Sequence, residues 1–439
     1  MVEVHNILKY AEKSGAQEAE ILTDHTRFTY ARFESGEPQQ TLVGDITEYA
    51  VRVRVDHALG FAYFTDNWQS AVKKALSLAE KGYQHESCPS FVTATPPTPL
   101  HLSDPSIGAV TLDVLISDLT DGTALIDDPR ILAHTGSAHV AHSTAEIAST
   151  SGAHQVESST LASARMACRA YETDYGIGAA HVHSLAYDID IEGVCEKAQH
   201  DALAQLGKEP PHPGKKQVIL SPRVCANLLV CAAVPSFLGH NVEEGRSALT
   251  CGDTVAAHHL QLTETPLTHG PQGRSFDDEG MPSQSVELIS DGTVDAFLYD
   301  RYYGQSTGSG IRYGQYRGRT LKEPPLPCAT SLFLRGSSSP LEEMISSVDD
   351  GLMVIDETNS HASKSQSGLF SIAVTSGFEI KKGEITGPVN RCMISGLAFE
   401  DFLPNVTCIS TERELHRSFV YPTYVDTGYV LVDGLRITA

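Results

Sequence analysis

Basic residues are scarce in this 439-residue chain. Lys and Arg number 32 against 55 Asp and Glu, giving a formal net charge of -23. A general nucleic-acid groove needs concentrated positive charge, so direct nucleic-acid binding is disfavoured. Docking on an anionic membrane surface is disfavoured for the same reason. No apolar run approaches the ~18 residues a transmembrane helix requires. The start, Met1, Val2, Glu3, Val4, His5, has no basic region followed by an apolar core. That is not the pattern of a signal peptide, and a cytoplasmic location is the expectation. The nine cysteines, at 88, 168, 195, 225, 231, 251, 328, 392 and 408, are odd in number and form no Cys-x-x-Cys pair. A zinc ribbon, an iron–sulfur cluster of the usual spacing and a disulfide scaffold are thereby disfavoured. A Walker A motif and a Gly-x-Ser-x-Gly elbow are also missing.

What is present is an ordinary globular composition, 41% hydrophobic. That is enough apolar material to offset chain entropy, and the length suits two or three domains. A helix is predicted over 3–15, with Ile7, Leu8 and Ala11 at helical spacing and Gly15 as its stop. Two separate strands are predicted next, through Ala19, Ile21 and Thr23 and around Phe28–Phe33. Glu48–Val55 then alternates, with Tyr49, Val51, Val53 and Val55 on one face and Arg52 and Arg54 on the other. Gly60–Phe64 reads as its partner, and Asn67 as the cap of a helix carrying Ala71, Val72, Ala75, Leu76 and Ala79.

A proline-rich connector covers 87–106, and 107–126 leans towards helix. Long polar hairpins are predicted from 130 to 195, through Ala145–Ala153, Ser158–Tyr171 and His181–Ile191. Glu192–Leu206 returns to helix. Pro-Pro-His-Pro-Gly at 210–214 marks the expected boundary between an N-terminal domain, 1–210, and a C-terminal domain, 215–439. Beyond it come a strand at Lys216–Leu220, Pro222 at a helix start and an apolar run over Val224–Leu238. Short β segments dominate the rest, among them Val286–Ile289, Val294–Leu298, Ser331–Leu334, Leu369–Ile380 and Tyr429–Ile437, with an inserted helix at Leu341–Val348. The expected class is α+β: an N-terminal antiparallel sheet with flanking helices, then a β-rich, barrel-like C-terminal domain.

Several groups invite a chemical reading. His134, His139 and His142 lie close together, His181 and His183 share a strand face, and His258 and His259 are adjacent. Nineteen histidines make such coincidences cheap, and surface or hydrogen-bonding roles are the ordinary reading. His240 with Glu243 and Glu244 is the strongest local metal candidate, but it lacks a third ligand nearby. A histidine favoured by the helix C-terminus is the simpler alternative. Asp277, Asp278 and Glu279 follow Arg274, and a turn paired with that arginine is favoured over a catalytic carboxylate set. The glycines of the 302–310 stretch suit a turn or an active-site loop.

The order of several motifs resembles the TldD/PmbA family (peptidase U62), whose older name is modulator of DNA gyrase. Ser14-Gly-Ala-Gln-Glu-Ala-Glu, Glu48–Val55 and Leu59-Gly-Phe-Ala-Tyr carry it at the N-terminus. Arg274-Ser-Phe-Asp-Asp-Glu-Gly-Met-Pro, Ile289-Ser-Asp-Gly, Asp300-Arg-Tyr, Ser306-Thr-Gly and Asp350-Gly-Leu-Met-Val carry it further on. His361, Gly368-Leu-Phe-Ser and Ser376-Gly-Phe-Glu-Ile-Lys-Lys-Gly-Glu-Ile complete the series.

The resemblance implies zinc-dependent peptidases and their partner subunits. Catalytic members carry His-Glu-x-x-x-His on a helix and a later Cys, so that zinc polarises a peptide carbonyl and activates water. In this chain the matching stretch reads Pro235, Ser236, Phe237, Leu238, Gly239, His240. Pro235 and Ser236 replace the first His and the Glu, and only His240 remains. The late Cys-containing motif is also missing, since the region reads Thr411-Glu-Arg-Glu-Leu-His-Arg and Cys408 lacks that context.

The resemblance therefore points to the PmbA/TldE type of subunit. Such a chain holds no catalytic residues and no cofactor of its own, and zinc is expected in a TldD-like partner. The implied complex processes or degrades small or unfolded peptides. A homodimer in isolation, or a pair with the zinc-bearing partner, is the expected assembly. His240, Asp277, Asp278, Glu279 and His361 are candidate contacts to peptide or partner. The alternatives are a peptidase with a non-standard site around His240, and a peptide-binding or assembly protein without protease involvement.

Overall fold

The computed structural model describes residues 4–82, 88–305, 307–312, 321–364, 366–389, 392–418, 421 and 423–438. Helix α1 spans Val4–Lys13 and buries Ile7, Leu8 and Ala11, the stripe its spacing predicts. Two long strands follow, β1 over Glu18–Glu34 and β2 over Glu37–Val55. The two strands expected at 19–23 and 28–33 are thus one continuous strand, and the strand expected from Glu48 begins at Glu37. The polar stretch Asp24–Arg27 resembles a loop in sequence. It stays extended because β1 is hydrogen-bonded on both edges, to β2 and to β4, which spans Ile131–Ser149. A central strand needs no apolar face of its own once both ladders are filled.

Strand β3, Ala58–Phe64, covers β2 only along its 49–55 portion. With β5 over His154–Tyr171 and β6 over Tyr175–Ser184, the six-stranded antiparallel sheet has the order β3-β2-β1-β4-β5-β6. The predicted segment His181–Ile191 leaves the sheet after Ser184.

Helix α2, Trp68–Lys81, is capped by Asn67, whose side chain accepts from the Ser70 N–H. It buries the five apolar residues expected of it, and packs with α1 on the β1–β3 part of the sheet. Helices α3, Leu112–Ala124, and α4, Ile191–Leu203, cover the remainder. Helix α4 starts where Asp190 accepts from the Gly193 N–H.

The second sheet has twelve strands and closes on itself. Strand β7, Gly214–Leu220, pairs in parallel with the Asp350–Thr358 strand, which pairs with Leu369–Lys381. That strand pairs with Met393–Leu397, then with Tyr424–Thr438, which returns to β7. A five-strand ring removes exposed edges, and this is the barrel-like C-terminal body of the α+β fold. Of the expected Val294–Leu298 strand only Val294 is in a ladder, in the two-residue strand Thr293–Val294. The helix at Leu341–Ser347 forms where Pro340 announces it.

The apolar run after β7 is buried against the barrel core but is not one regular helix. Ser221 caps α5, Pro222–Leu228, with Pro222 in the first turn. Residues Leu229–Ala233 then widen into a π-helical turn, and Val234–Phe237 tighten into a 3-10 turn. Pro235 supplies the cause, because it has no N–H and its ring crowds the carbonyl four residues back, that of Cys231.

Candidate functional site

The broken helical run sets the geometry of the stretch that resembles a metal motif. After the 3-10 turn the chain doubles into α6, Gly239–Glu243. Gly239 donates to the Leu298 carbonyl at 2.7 Å, and Leu298 donates back to Phe237 at 2.9 Å. A Cβ on Gly239 would lie 2.4 Å from the Tyr299 ring, so this close crossing requires glycine. Asn241 donates to the Pro235 carbonyl at 2.7 Å, and the Ser247 hydroxyl donates to the Ser236 carbonyl at 2.7 Å.

Beside this turn lies a cavity of about 210 Å³. Val230, Val234, Pro235, Leu238 and Ala329 form its apolar lining, and His240 enters from α6. Arg246 and Asn241 also border it. Arg246 pairs with Glu244 at 2.7 Å, both roughly half exposed, which places this ion pair at the rim.

His240 is the one member of the resembling motif able to ligate a metal. Burial, and then Arg246, lower its pKa, against an opposing pull from Glu244. The ring is therefore neutral at pH 7. Its Nδ1 is buried and has no hydrogen-bond partner among the described residues. The acidic neighbours are engaged elsewhere: Tyr299 donates to Glu243 at 3.0 Å, and Tyr303 to Glu244 at 3.0 Å.

Zinc does not fit this residue set. Pro235 offers no side-chain donor, Ser236 is buried beside it, and neither Glu243 nor Glu244 is gathered with His240 into a ligand shell. Among the described residues, no group of three or more His, Cys, Asp or Glu is arranged to hold a metal ion. The cavity wall carries no activated nucleophile either, since burial pushes the Cys328 thiol up to about 12.

Asp277, Asp278 and Glu279 do not line this cavity; they belong to a buried charge network where the antiparallel sheet meets the C-terminal body. The expected pairing with Arg274 is present: its guanidinium donates to Asp278 at 2.6 Å. Asp277 shapes the turn, accepting from the Glu279, Met281 and Gly310 N–H groups. Asp277 and Asp278 are 0% exposed. Arg52 reaches across from β2, donating to Glu20 through two nitrogens and to Glu279 through a third, each at 3.0 Å. Arg312 donates to Glu20 at 3.3 Å and to the Asp278 carbonyl at 2.7 Å.

Burial, followed by Glu279, raises the Asp277 carboxyl well above the usual range. The same causes bring Asp300 to about 7, with Oδ2 buried and unpartnered among the described residues. Burial alone would lower the Arg52 pKa, but Glu20 and Glu279 hold the guanidinium firmly charged.

The sequence reading missed Arg52, Glu20, Arg312 and Asp300 as members of one cluster. Its available signal was Arg52 standing between Val51 and Val53 in β2; that it faces Glu20 of β1 depends on a register shift visible only in the structure. His361 sits exposed in a 3-10 turn over Ser360–Ala362, which packs on the Leu229–Ala233 turn, but it does not itself line the cavity. Ser306 of the Ser-Thr-Gly motif lies outside the described residues.

Other histidines make structural contacts. His259 Nε2 is 3.0 Å from the Val406 carbonyl, and its Nδ1 accepts from the Ser337 N–H. His258 Nδ1 is 3.1 Å from the Asp291 carbonyl. His181 and His183 of β6 meet His416, whose Nδ1 is 3.2 Å from His181 Nε2. Burial lowers all three, and neighbouring arginines add to the effect. Cys408 is half-buried, with its Sγ 3.6 Å from the Ile409 carbonyl.

Comparison with known proteins gives matches at both ends of the chain. Residues 213–439 match the PmbA/TldA metallopeptidase C-terminal domain, and 19–79 match PmbA/TldA metallopeptidase domain 1. The structure of TldE from Thermococcus kodakarensis superposes with a TM-score of 0.89 at 20% identity, over 100% of both chains, which shows a shared fold. An uncharacterized protein of Methanocaldococcus jannaschii is 22% identical over 98% of this chain and 100% of its own length. A zinc metalloprotease TldD homolog of Saccharolobus solfataricus is 24% identical over 47% of this chain and 46% of its own length. The matched region thus spans about half of that zinc metalloprotease relative.

Proposed function

This chain belongs to the PmbA/TldA metallopeptidase family, and we propose that it acts there as a non-catalytic subunit of the TldE/PmbA type. It pairs with a TldD-like, zinc-bearing subunit, and the assembly processes small or unfolded peptides. The observation that carries this reading is the Pro235–His240 stretch. Pro235 and Ser236 stand where a first zinc histidine and a proton-handling glutamate would be needed, and the one remaining candidate ligand, His240, lines a cavity of mixed polar and apolar character. A subunit so built contributes walls, peptide contacts and stability to its partner, while the partner supplies the bond-breaking chemistry.

Reconstitution tests this directly. The purified chain is assayed alone, and again with a zinc-bearing TldD-like subunit, on an unstructured peptide, with metal content measured in parallel. Hydrolysis by the pair, sensitive to chelator, is expected, with none by this chain alone. Stoichiometric zinc and chelator-sensitive cleavage by the chain alone would overturn the proposal in favour of a peptidase with a non-standard site. Peptide binding without any association with the zinc subunit would favour an independent peptide-binding protein.

A further inference from the structure

We propose that the seam where β6 meets the barrel is an acid-released latch: proton uptake by His181, His183 and His416 parts the sheet from the barrel there while both bodies stay folded. The inference is independent of the peptide-handling reading and of any partner subunit.

Strand β6 is an edge of its sheet, paired only with β5. Its free side can therefore leave the barrel without breaking a ladder. Opposite it stands the strand Val406–Arg417, which carries His416. His181 Nε2 and His416 Nδ1 are 3.2 Å apart, and His416 is 7% exposed. Two neutral rings share one N–H···N bond at that distance. Once both are protonated, two N–H donors face each other with no acceptor between them. His183 adds a third ring, 5.3 Å from His181 and edge-on to Tyr424 at 6.1 Å. Its Nδ1 is buried without a partner among the described residues, so a proton placed there gains no bond.

The surroundings oppose positive charge. Arg165 stands beside His181 on β5, and Arg223 of α5, Lys197 of α4 and Arg417 add to the field. The nearby carboxylates are already paired, Asp356 with Arg223 and Asp201 with Lys197, each at 3.0 Å. Burial raises the Asp356 carboxyl, so its loss of charge in acid acts in the same direction. Glu414 is exposed. Burial also keeps the Tyr424 and Tyr429 phenols neutral. Burial first, then the neighbouring rings and cations, lowers all three histidines.

The two bodies do not fill the seam completely. A space of about 80 Å³ lies between them, bordered by His181, Arg223, Ser376 and Tyr429, and it gives solvent a way in. Beside it the Gly377 N–H of the barrel donates to Gln205 Oε1 at 3.1 Å. Gln205 follows α4, so this bond crosses the seam and lasts only while the seam is closed.

Hydrogen–deuterium exchange at the Gly377 amide, corrected for the intrinsic rate, reads the latch at pH 7 and pH 5. A histidine that titrates near 6.5 when released, and stays neutral when closed, raises the opening equilibrium roughly twentyfold over that interval. With several such groups, exchange at Gly377 is expected to rise at least about a hundredfold. Amides in the middle of β1 should keep their protection. His181→Gln and His416→Gln should each lower the rise about twentyfold, with circular dichroism at both pH values identifying the variants that remain folded. No change at Gly377 between pH 7 and pH 5, or an equal loss of protection in β1, would overturn the latch. So would an unreduced rise in a folded histidine variant, which would assign the acid effect to the Arg223–Asp356 pair.

Discussion

Arg52 shows how a single residue changes meaning once its neighbours are known. In the sequence it alternates with Tyr49, Val51 and Val53, which puts it on a polar face. In the structure that face is covered by the C-terminal body, and the guanidinium joins Glu20 to Glu279 with 6% of its side chain exposed. Removing such a group strands two buried carboxylates. Arg52→Met is expected to cost roughly 3–5 kcal/mol in urea unfolding.

Asp300 offers a pH test in the same network. Its carboxyl is held near 7, above its value in an unfolded chain, by burial and then by Glu279. The folded form therefore takes up a proton more readily than the unfolded one. This stabilising contribution is full at acid pH and is lost as pH rises through about 7. Asp300→Asn removes the charge without removing any bonded partner of Oδ2. The variant should match the parent melting temperature near pH 4 and increasingly exceed it as pH rises towards 8.

Among elements, the hairpin of β1 and β2 explains why that network was illegible. The turn at Ser35-Gly36, with φ of 51° and 83°, pairs Glu34 with Glu37. Counting back from that turn without interruption would set Glu20 opposite Val51. A bulge between Arg32 and Phe33 shifts the register by one, so Glu20 faces Arg52. One residue of slip exchanges the two faces of a strand, and no local pattern announced it. The helices were easier to read, because α1, α2 and α4 each bury one apolar stripe.

Their distance from the sheet, however, depends on glycine. A Cβ on Gly60 of β3 would lie 1.8 Å from the Ala75 carbonyl of α2. Gly60→Ala must push the helix away, and an overpacking cost of about 1–3 kcal/mol is expected in thermal or urea unfolding. Asn67→Ala removes only the α2 cap and should cost about 1 kcal/mol. The run after β7 is intermediate. Its apolar character and its start at Pro222 were readable, whereas the π-helical turn upstream of Pro235 was not.

At the scale of the molecule, the sheet and the barrel meet along seams that neither could complete alone. One is the charge network around Glu279. Another brings His181 and His183 of β6 against His416, with Arg165, Arg223 and Arg417 nearby. Burial and then these cations lower His181 to about 4, while burial, then His181 and Arg417, lower His183 to about 3. The folded form thus resists protonation that the unfolded chain accepts near 6.5. The contribution is present above about 6.5 and is lost as pH falls towards 4, opposite in sign to that of Asp300. Replacing His181 and His183 together with Gln should flatten the loss of stability between pH 7 and pH 4, measured by urea unfolding at each pH.

By itself, the sequence determined the class of fold, the stripes of the main helices and the absence of metal-ligating side chains at Pro235 and Ser236. Each of these depends on local periodicity or on the chemistry of a residue at its own position. Tertiary structure alone decided that Arg52, Glu20, Arg312, Asp278, Glu279 and Asp300 share one buried network, and that His240 lines a cavity beside Pro235. Those groups come from segments far apart in the chain. Their meeting depends on strand register, a bulge and the closure of the barrel, which are set by packing across the whole molecule.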